Sequence, residues 1–88
     1  MERRNRFQII IDILEFIFRK RKVKVTHILY GSNLSYDRLK GYIKELTEKG
    51  LIQEIKEKDK TFYIITTKGI NFISQAKKIQ ELTEAFGL

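Results

Sequence analysis

Thr26-His27-Ile28-Leu29-Tyr30-Gly31-Ser32-Asn33-Leu34-Ser35-Tyr36 reads as a short helix, a tight turn and the start of a second helix. Thr26 and Ser35 are good N-cap residues, because a hydroxyl accepts a hydrogen bond from a free N–H of the first turn. The apolar residue before each cap has a partner inside the helix, pairing Val25 with Tyr30 and Leu34 with Leu39 as hydrophobic staples. Gly31, Ser32 and Asn33 supply the permissive backbone of a sharp turn. The pattern is a helix-turn-helix, and the helix starting at Tyr36 stands where such a motif reads DNA.

Working outward, the length of 88 residues sets one domain. A chain of this size buries roughly 60–65% of its unfolded surface, so a second copy is a natural supplement to its core. Lys and Arg number 18 against 11 Asp and Glu, for a net charge of +7. That balance favours polyanionic partners, nucleic acid first; the plainer alternative is charge that serves solubility. There is no Cys, hence no disulfide framework and no thiolate chemistry. Abundant Ile, Lys and Glu point toward a thermophilic source. Met1-Glu2-Arg3-Arg4 ahead of an apolar run resembles a leader, but Asp12 and Glu15 interrupt the run. The run is also too short to cross a bilayer, and the expected location is the cytoplasm.

The first helix is predicted over residues 5–21. Steps of about 100° per residue put Phe7, Ile10, Ile11, Leu14, Ile17 and Phe18 on a core face. Ile9, Ile13 and Phe16 remain as a second stripe, to be covered by a partner copy or by the chain's own last helix. The cationic run Arg19-Lys20-Arg21-Lys22-Val23-Lys24 follows. It is either a solvated loop that offsets a helix C-terminus or a phosphate contact beside the helix-turn-helix.

The third helix is predicted from Tyr36 to Lys49, with Gly50 in the left-handed position that ends it. Leu39, Tyr42, Ile43 and Leu46 form its buried face. Asp37, Lys40, Gly41, Lys44, Glu45 and Glu48 lie opposite, positive toward the front and acidic at the rear, so the front half suits a DNA groove. Gly41 permits close backbone approach there. Tyr36 and Arg38 flank this surface, although the Tyr36 ring has packing on the second helix as its alternative. Leu51-Ile52-Gln53-Glu54-Ile55-Lys56 and Thr61-Phe62-Tyr63-Ile64-Ile65 are β-prone and joined by Glu57-Lys58-Asp59-Lys60, a hairpin that completes a winged helix. Lys56, Lys58 and Lys60 bring charge to the wing, and its alternative role is a soluble turn. Thr66 caps a last helix, with Ile65 and Ile70 as a third staple. On it Phe72, Ala76, Ile79, Thr83 and Phe86, with Leu82 beside them, recur as a coiled-coil seam.

The order of elements, with Tyr30-Gly31-Ser32-Asn33-Leu34-Ser35-Tyr36, Lys49-Gly50-Leu51-Ile52 and Thr66-Thr67-Lys68-Gly69 as landmarks, resembles the small archaeal winged-helix DNA-binding proteins, especially the Sulfolobus 10a type. The resemblance covers nearly the whole chain and implies a basic dimer, joined by antiparallel C-terminal helices, that binds double-stranded DNA as a chromatin-associated or regulatory protein. The C-terminal helix is short for that type.

The expected fold class is α+β, mostly α: a winged helix-turn-helix over residues 1–66, with residues 67–88 as a dimerisation helix packed on the same domain. The expected DNA contacts are Arg21, Lys22, Lys24, Ser35, Tyr36, Asp37, Arg38, Lys40, Gly41, Lys44, Lys58 and Lys60. The expected dimer interface is Ile9, Ile13, Phe16, Phe72, Ala76, Ile79, Leu82, Thr83 and Phe86. The expected partners are double-stranded DNA and a second copy, with no membrane and no evident small-molecule substrate. No enzyme, cofactor or metal is expected: the single His27 has no ligand set around it, Glu45 and Glu48 read as solvated charges, and no phosphate loop or nucleophile motif is present. The competing function is a winged helix that docks on another protein. RNA comes third, because no stacking aromatics are arranged on a sheet.

Overall fold

The computed structural model describes residues 4–88; Met1, Glu2 and Arg3, part of the leader-like stretch, lie outside the described residues. The elements run α1 (Arg6–Lys20), α2 (Val25–Ser32), α3 (Tyr36–Glu48), β1 (Ile52–Glu57), β2 (Lys60–Ile65) and α4 (Thr67–Ala85). This is a mostly helical winged helix with a helix after the hairpin.

Three of the four helices start on a side-chain cap. Asn5 accepts from the Gln8 N–H at 2.8 Å, Ser35 from Arg38 at 3.3 Å and Thr66 from Gly69 at 3.1 Å. The expected Thr26 cap is corrected: α2 begins two residues earlier, with Lys24 in the cap position and no side-chain cap bond. The cause is long-range. Val23 exchanges two backbone hydrogen bonds with Tyr63, at 3.1 and 2.7 Å, so the chain is still strand-like there and turns helical immediately afterwards. The Val25–Tyr30 staple is also corrected, since Tyr30 is 85% exposed. Gly31 lies inside α2, and the turn is made by Asn33 in the left-handed region and by Ser32, whose hydroxyl donates to Leu29 and accepts from the Leu34 N–H.

The two apolar stripes of α1 form one broad arc inside the chain's own core. Ile9 and Ile13 are 4% and 2% exposed, alongside Ile11, Leu14 and Ile17. Both therefore leave the expected dimer interface; α1 packs against α2, α4 and β2 at once, and three neighbours cover an arc that one could not. Phe7 and Phe18, expected in the core, are instead 44% and 51% exposed. Phe7 meets Phe72 of α4 edge-on, ring centroids 6.2 Å apart.

Helix α3 buries Leu39, Ile43 and Leu46 and ends at Glu48, with Lys49 as its C-cap and Gly50 at φ 75°. The strands pair antiparallel from Ile52↔Ile65 to Glu57↔Lys60, leaving Lys58 and Asp59 as the turn, with Lys58 at φ 56°. The start of α4 is tied to the end of α3. Thr66 Oγ1 donates to the carbonyls of Gly50 and Leu51, at 2.6 and 3.0 Å, and Lys68 Nζ to that of Lys49 at 2.6 Å. The expected seam of α4 divides in the middle. Ala76, with Ile73, is buried within the chain, which removes it from the expected dimer interface. Residues 77–88 are all exposed, Ile79, Leu82 and Phe86 among them.

Candidate nucleic-acid interface

The front of α3 and the inner face of the hairpin enclose a cleft of about 580 Å³ lined by Lys24, Tyr36, Lys40, Lys44 and Lys56, among others. Its four lysines face two carboxylates, Glu48 and Glu54. Glu54 is already engaged: Tyr63 donates its hydroxyl to Glu54 Oε2 at 3.1 Å, and Lys56 Nζ lies 3.9 Å from Oε1. Burial first, then this hydrogen bond, push the Tyr63 hydroxyl above its ordinary pKa. The cleft thus keeps a positive excess toward any ligand. Lys40 Nζ stands 5.3 Å from the centroid of the Tyr36 ring, one turn earlier on the same helix.

The cationic run between α1 and α2 is held against the hairpin. Besides the Val23–Tyr63 pairing, Lys22 Nζ makes a 2.6 Å ion pair with Glu57 and lies 4.8 Å from the Phe62 ring centroid, with Lys24 Nζ at 5.8 Å from the same ring. Arg21 occupies φ 72°, ψ −57°, in a three-residue turn closed by the Lys22 N–H on the Lys20 carbonyl at 2.9 Å. Its side chain is exposed.

The other flank of α3 carries a shallow groove lined by Arg6, Arg38, Gly41, Tyr42 and Glu45. Glu45, expected as a free solvated charge, is corrected: it accepts from Arg6 of α1 at 2.5 Å and pairs with Lys49 at 3.4 Å. The Arg6 hydrogen bond holds the Glu45 carboxyl below its usual pKa. One acid of α3 is thereby paired from a distant part of the chain. A Cβ at Gly41 would meet nothing within 4 Å among the described residues. The fold itself does not require glycine there.

A family model described as winged helix-turn-helix matches residues 3–84. The chain belongs to the winged helix-turn-helix family. Among solved structures it is similar to Sso10a-2, described as a DNA-binding protein from Sulfolobus solfataricus, with a TM-score of 0.79 and 25% identity over 94% of this chain and 85% of that one. It is similar in fold to AF1382 from Archaeoglobus fulgidus, with a TM-score of 0.71 and 22% identity over 85% of this chain and 87% of that one. The oxidized form of MarR from E. coli shares the fold at a TM-score of 0.73 and 17% identity, over 86% of this chain and 60% of that one. No curated protein matches the chain. No helix among the described residues is long and apolar enough to cross a membrane.

In winged-helix terms, the structure sorts the sequence-predicted residues into three groups. Lys24, Tyr36, Lys40 and Lys44 meet in the cleft between α3 and the wing, Arg38 and Gly41 lie on the other flank, and Lys58 and Lys60 sit at the tip of the wing. Ser35 spends its hydroxyl on the cap, and Asp37 is exposed in the first turn. Lys56 lines the cleft, Arg6 lines the groove on the other flank, and Phe62 stands beside Lys22 and Lys24; none of the three was among the expected contacts. For Lys56 the signal was present, since alternation along β1 puts Glu54 and Lys56 on the face of Ile52. For Arg6 there was none: 39 residues separate it from Glu45.

Proposed function

We propose that this winged helix-turn-helix protein binds double-stranded DNA as a homodimer, as a transcriptional regulator or chromatin-associated protein of the nucleoid, with no catalytic activity. Helix α3 enters the major groove, Gly41 lets its backbone approach closely, and the wing lysines Lys58 and Lys60 follow the phosphates. Arg21, Lys22 and Lys24 add phosphate contacts beside it. The observation that carries this reading is the convergence of Lys24, Lys40, Lys44 and Lys56 from three separate segments on one cleft. The family, and the DNA-binding description of the Sulfolobus solfataricus relative, support it.

Titrating the protein with a short duplex at several salt concentrations tests the reading. With about six phosphates neutralised per dimer, the log–log slope of affinity on salt is expected to be about −5. A slope near zero removes DNA as the partner and favours docking on another protein.

Gly41→Ala supplies a second test with opposed signs. Alanine in an exposed helix interior adds about 0.5–1 kcal/mol of stability, and the open space around Gly41 accommodates the methyl. DNA affinity is expected to fall even as the melting temperature rises. Unchanged affinity in the stabilised variant excludes close approach at this position.

The proposed dimer rests on the distal half of α4, where Ile79, Leu82 and Phe86 are left largely exposed by the described residues. Phe72 packs on Phe7 in the same chain and contributes only at the margin. Ile79→Glu is expected to dissociate the dimer without unfolding the chain, because Ile79 is 61% exposed. Sedimentation equilibrium then reads a species near 10.5 kDa. A variant that sediments like the unmodified dimer moves the interface elsewhere.

A further inference from the structure

Five clefts on the described surface can be compared by the charges that line them. Four include at least one carboxylate: Asp12 and Glu15, Glu48 and Glu54, Glu45, and Glu15 again. The fifth, of about 600 Å³, has none. It lies between the end of α1, the connection to α2 and α2 itself, and shares no residue with the cleft between α3 and the hairpin.

Its lining pairs aromatic rings with cations. Phe16 and Tyr30 supply the rings, Lys20 and Lys22 supply charge, and His27 adds an N–H donor. Tyr30 is the most exposed aromatic ring in the described chain, and no neighbouring side chain stacks on it. Gly31 leaves part of the Phe16 ring open, since a Cβ there would stand 3.5 Å from Phe16 Cε1. Lys20 Nζ lies 6.0 Å from the Phe16 centroid, so the cation and the ring face serve one space. The volume falls in the range of small-molecule sites, which join apolar walls to a few polar groups.

We propose that this cleft binds a nucleoside monophosphate, with its base stacked on Phe16 and Tyr30 and its phosphate held by Lys20, Lys22 and His27. Two ammonium groups match a phosphate dianion better than a carboxylate monoanion. Tyr30 is exposed and Phe16 half-buried, and aromatic faces take a planar base whatever its hydrogen-bonding edge, as bases stack in protein grooves. The pairing of Lys22 with Glu57 in the free protein leaves Lys20 and His27 as the resident groups, and Lys22 turns from that surface ion pair at little cost.

Isothermal titration of the full chain, without DNA, against adenosine 5′-monophosphate, adenosine and inorganic phosphate tests the site. The nucleotide is expected to bind at one site per chain, with adenosine and phosphate each at least about tenfold weaker. Tyr30→Ala and Lys20→Gln are each expected to weaken the nucleotide about five- to tenfold. Lys78→Gln, which removes the same charge from an exposed position of α4, leaves it unchanged. Phosphate binding as tightly as the nucleotide, or Lys78→Gln weakening it as much as Lys20→Gln, reduces the effect to the attraction of any anion to a basic protein and overturns the proposal. So does full affinity in Tyr30→Ala, or no binding at millimolar nucleotide. Because no DNA is present, failure here leaves the DNA reading standing, and loss of DNA binding leaves this site standing.

Discussion

Gly69→Ala is expected to destabilise the protein by about 2–3 kcal/mol, lowering its melting temperature by roughly 10–20 °C. A Cβ at this position would stand 2.2 Å from the Leu51 carbonyl oxygen and 2.7 Å from Ile65 Cγ1. The obstacle is backbone, which cannot rotate aside as a side-chain tip can. The collision is also at a joint. Gly69 N–H is the group that Thr66 Oγ1 caps, and the same hydroxyl donates to the Gly50 and Leu51 carbonyls. Displacing the first turn of α4 therefore loosens the cap, the end of α3 and the base of the hairpin together. Total stability for a domain of this kind is about 5–15 kcal/mol, so the loss is a substantial fraction of it. Thermal unfolding followed by circular dichroism, at one fixed protein concentration because dimerisation shifts the midpoint, checks the value. A midpoint within about 2 °C of the unmodified protein would mean that α4 docks less closely than described.

The double variant Lys40→Ala/Lys44→Ala is expected to lower affinity for duplex DNA on the order of 100-fold at moderate salt, and to make the salt slope less steep. Both side chains are exposed and line the cleft, so the fold is expected to survive their removal. Each lysine acts twice in a dimer. Loss of two cations per chain removes up to four from the interface, which is why this effect exceeds that of any single wing lysine. Lys58→Ala, at the turn of the hairpin, is expected to weaken a tight site and a random duplex about equally, because a phosphate contact carries little base information. If the double variant binds both duplexes within about twofold of the unmodified protein, α3 is not the reading element and the protein-docking alternative takes its place.

Where the decisive interactions are local, the residues announce them. Ser35 three positions before Arg38, Thr66 three before Gly69, and Gly50 after Lys49 are caps and stops whose partners lie within one turn, and each was legible as such. The two β-prone runs flanking Lys58 and Asp59 specified the hairpin in the same way, through alternation and a short polar turn. The fold class, the helix-turn-helix and the extent of α3 followed from these local signals. That Lys40, Gly41 and Lys44 lie on the exposed side of α3 was legible too, because a helix assigns its faces by period alone.

Tertiary structure decided what depends on which element lies beside which. Thr26 is a sound cap by type, yet the pairing of Val23 with Tyr63, forty residues on, moved the start of α2. A helical period shows that Ile9, Ile13 and Leu14 cannot all face one neighbour, but it does not count neighbours. The packing of α1 against α2, α4 and β2 took Ile9 and Ile13 out of a dimer interface and left Phe7 and Phe18 more exposed than Leu14. Glu45 reads as one more solvated acid until Arg6 arrives from the other end of the domain. Likewise, no spacing in the chain links Lys20 and Lys22 with Tyr30 in a cleft free of carboxylates. The sequence by itself determined the elements, their caps and the faces they offer, because those rest on interactions within a few residues. Only the tertiary structure decided which faces are spent on the core and which charges remain free, because those rest on contacts between segments that the chain brings together by folding.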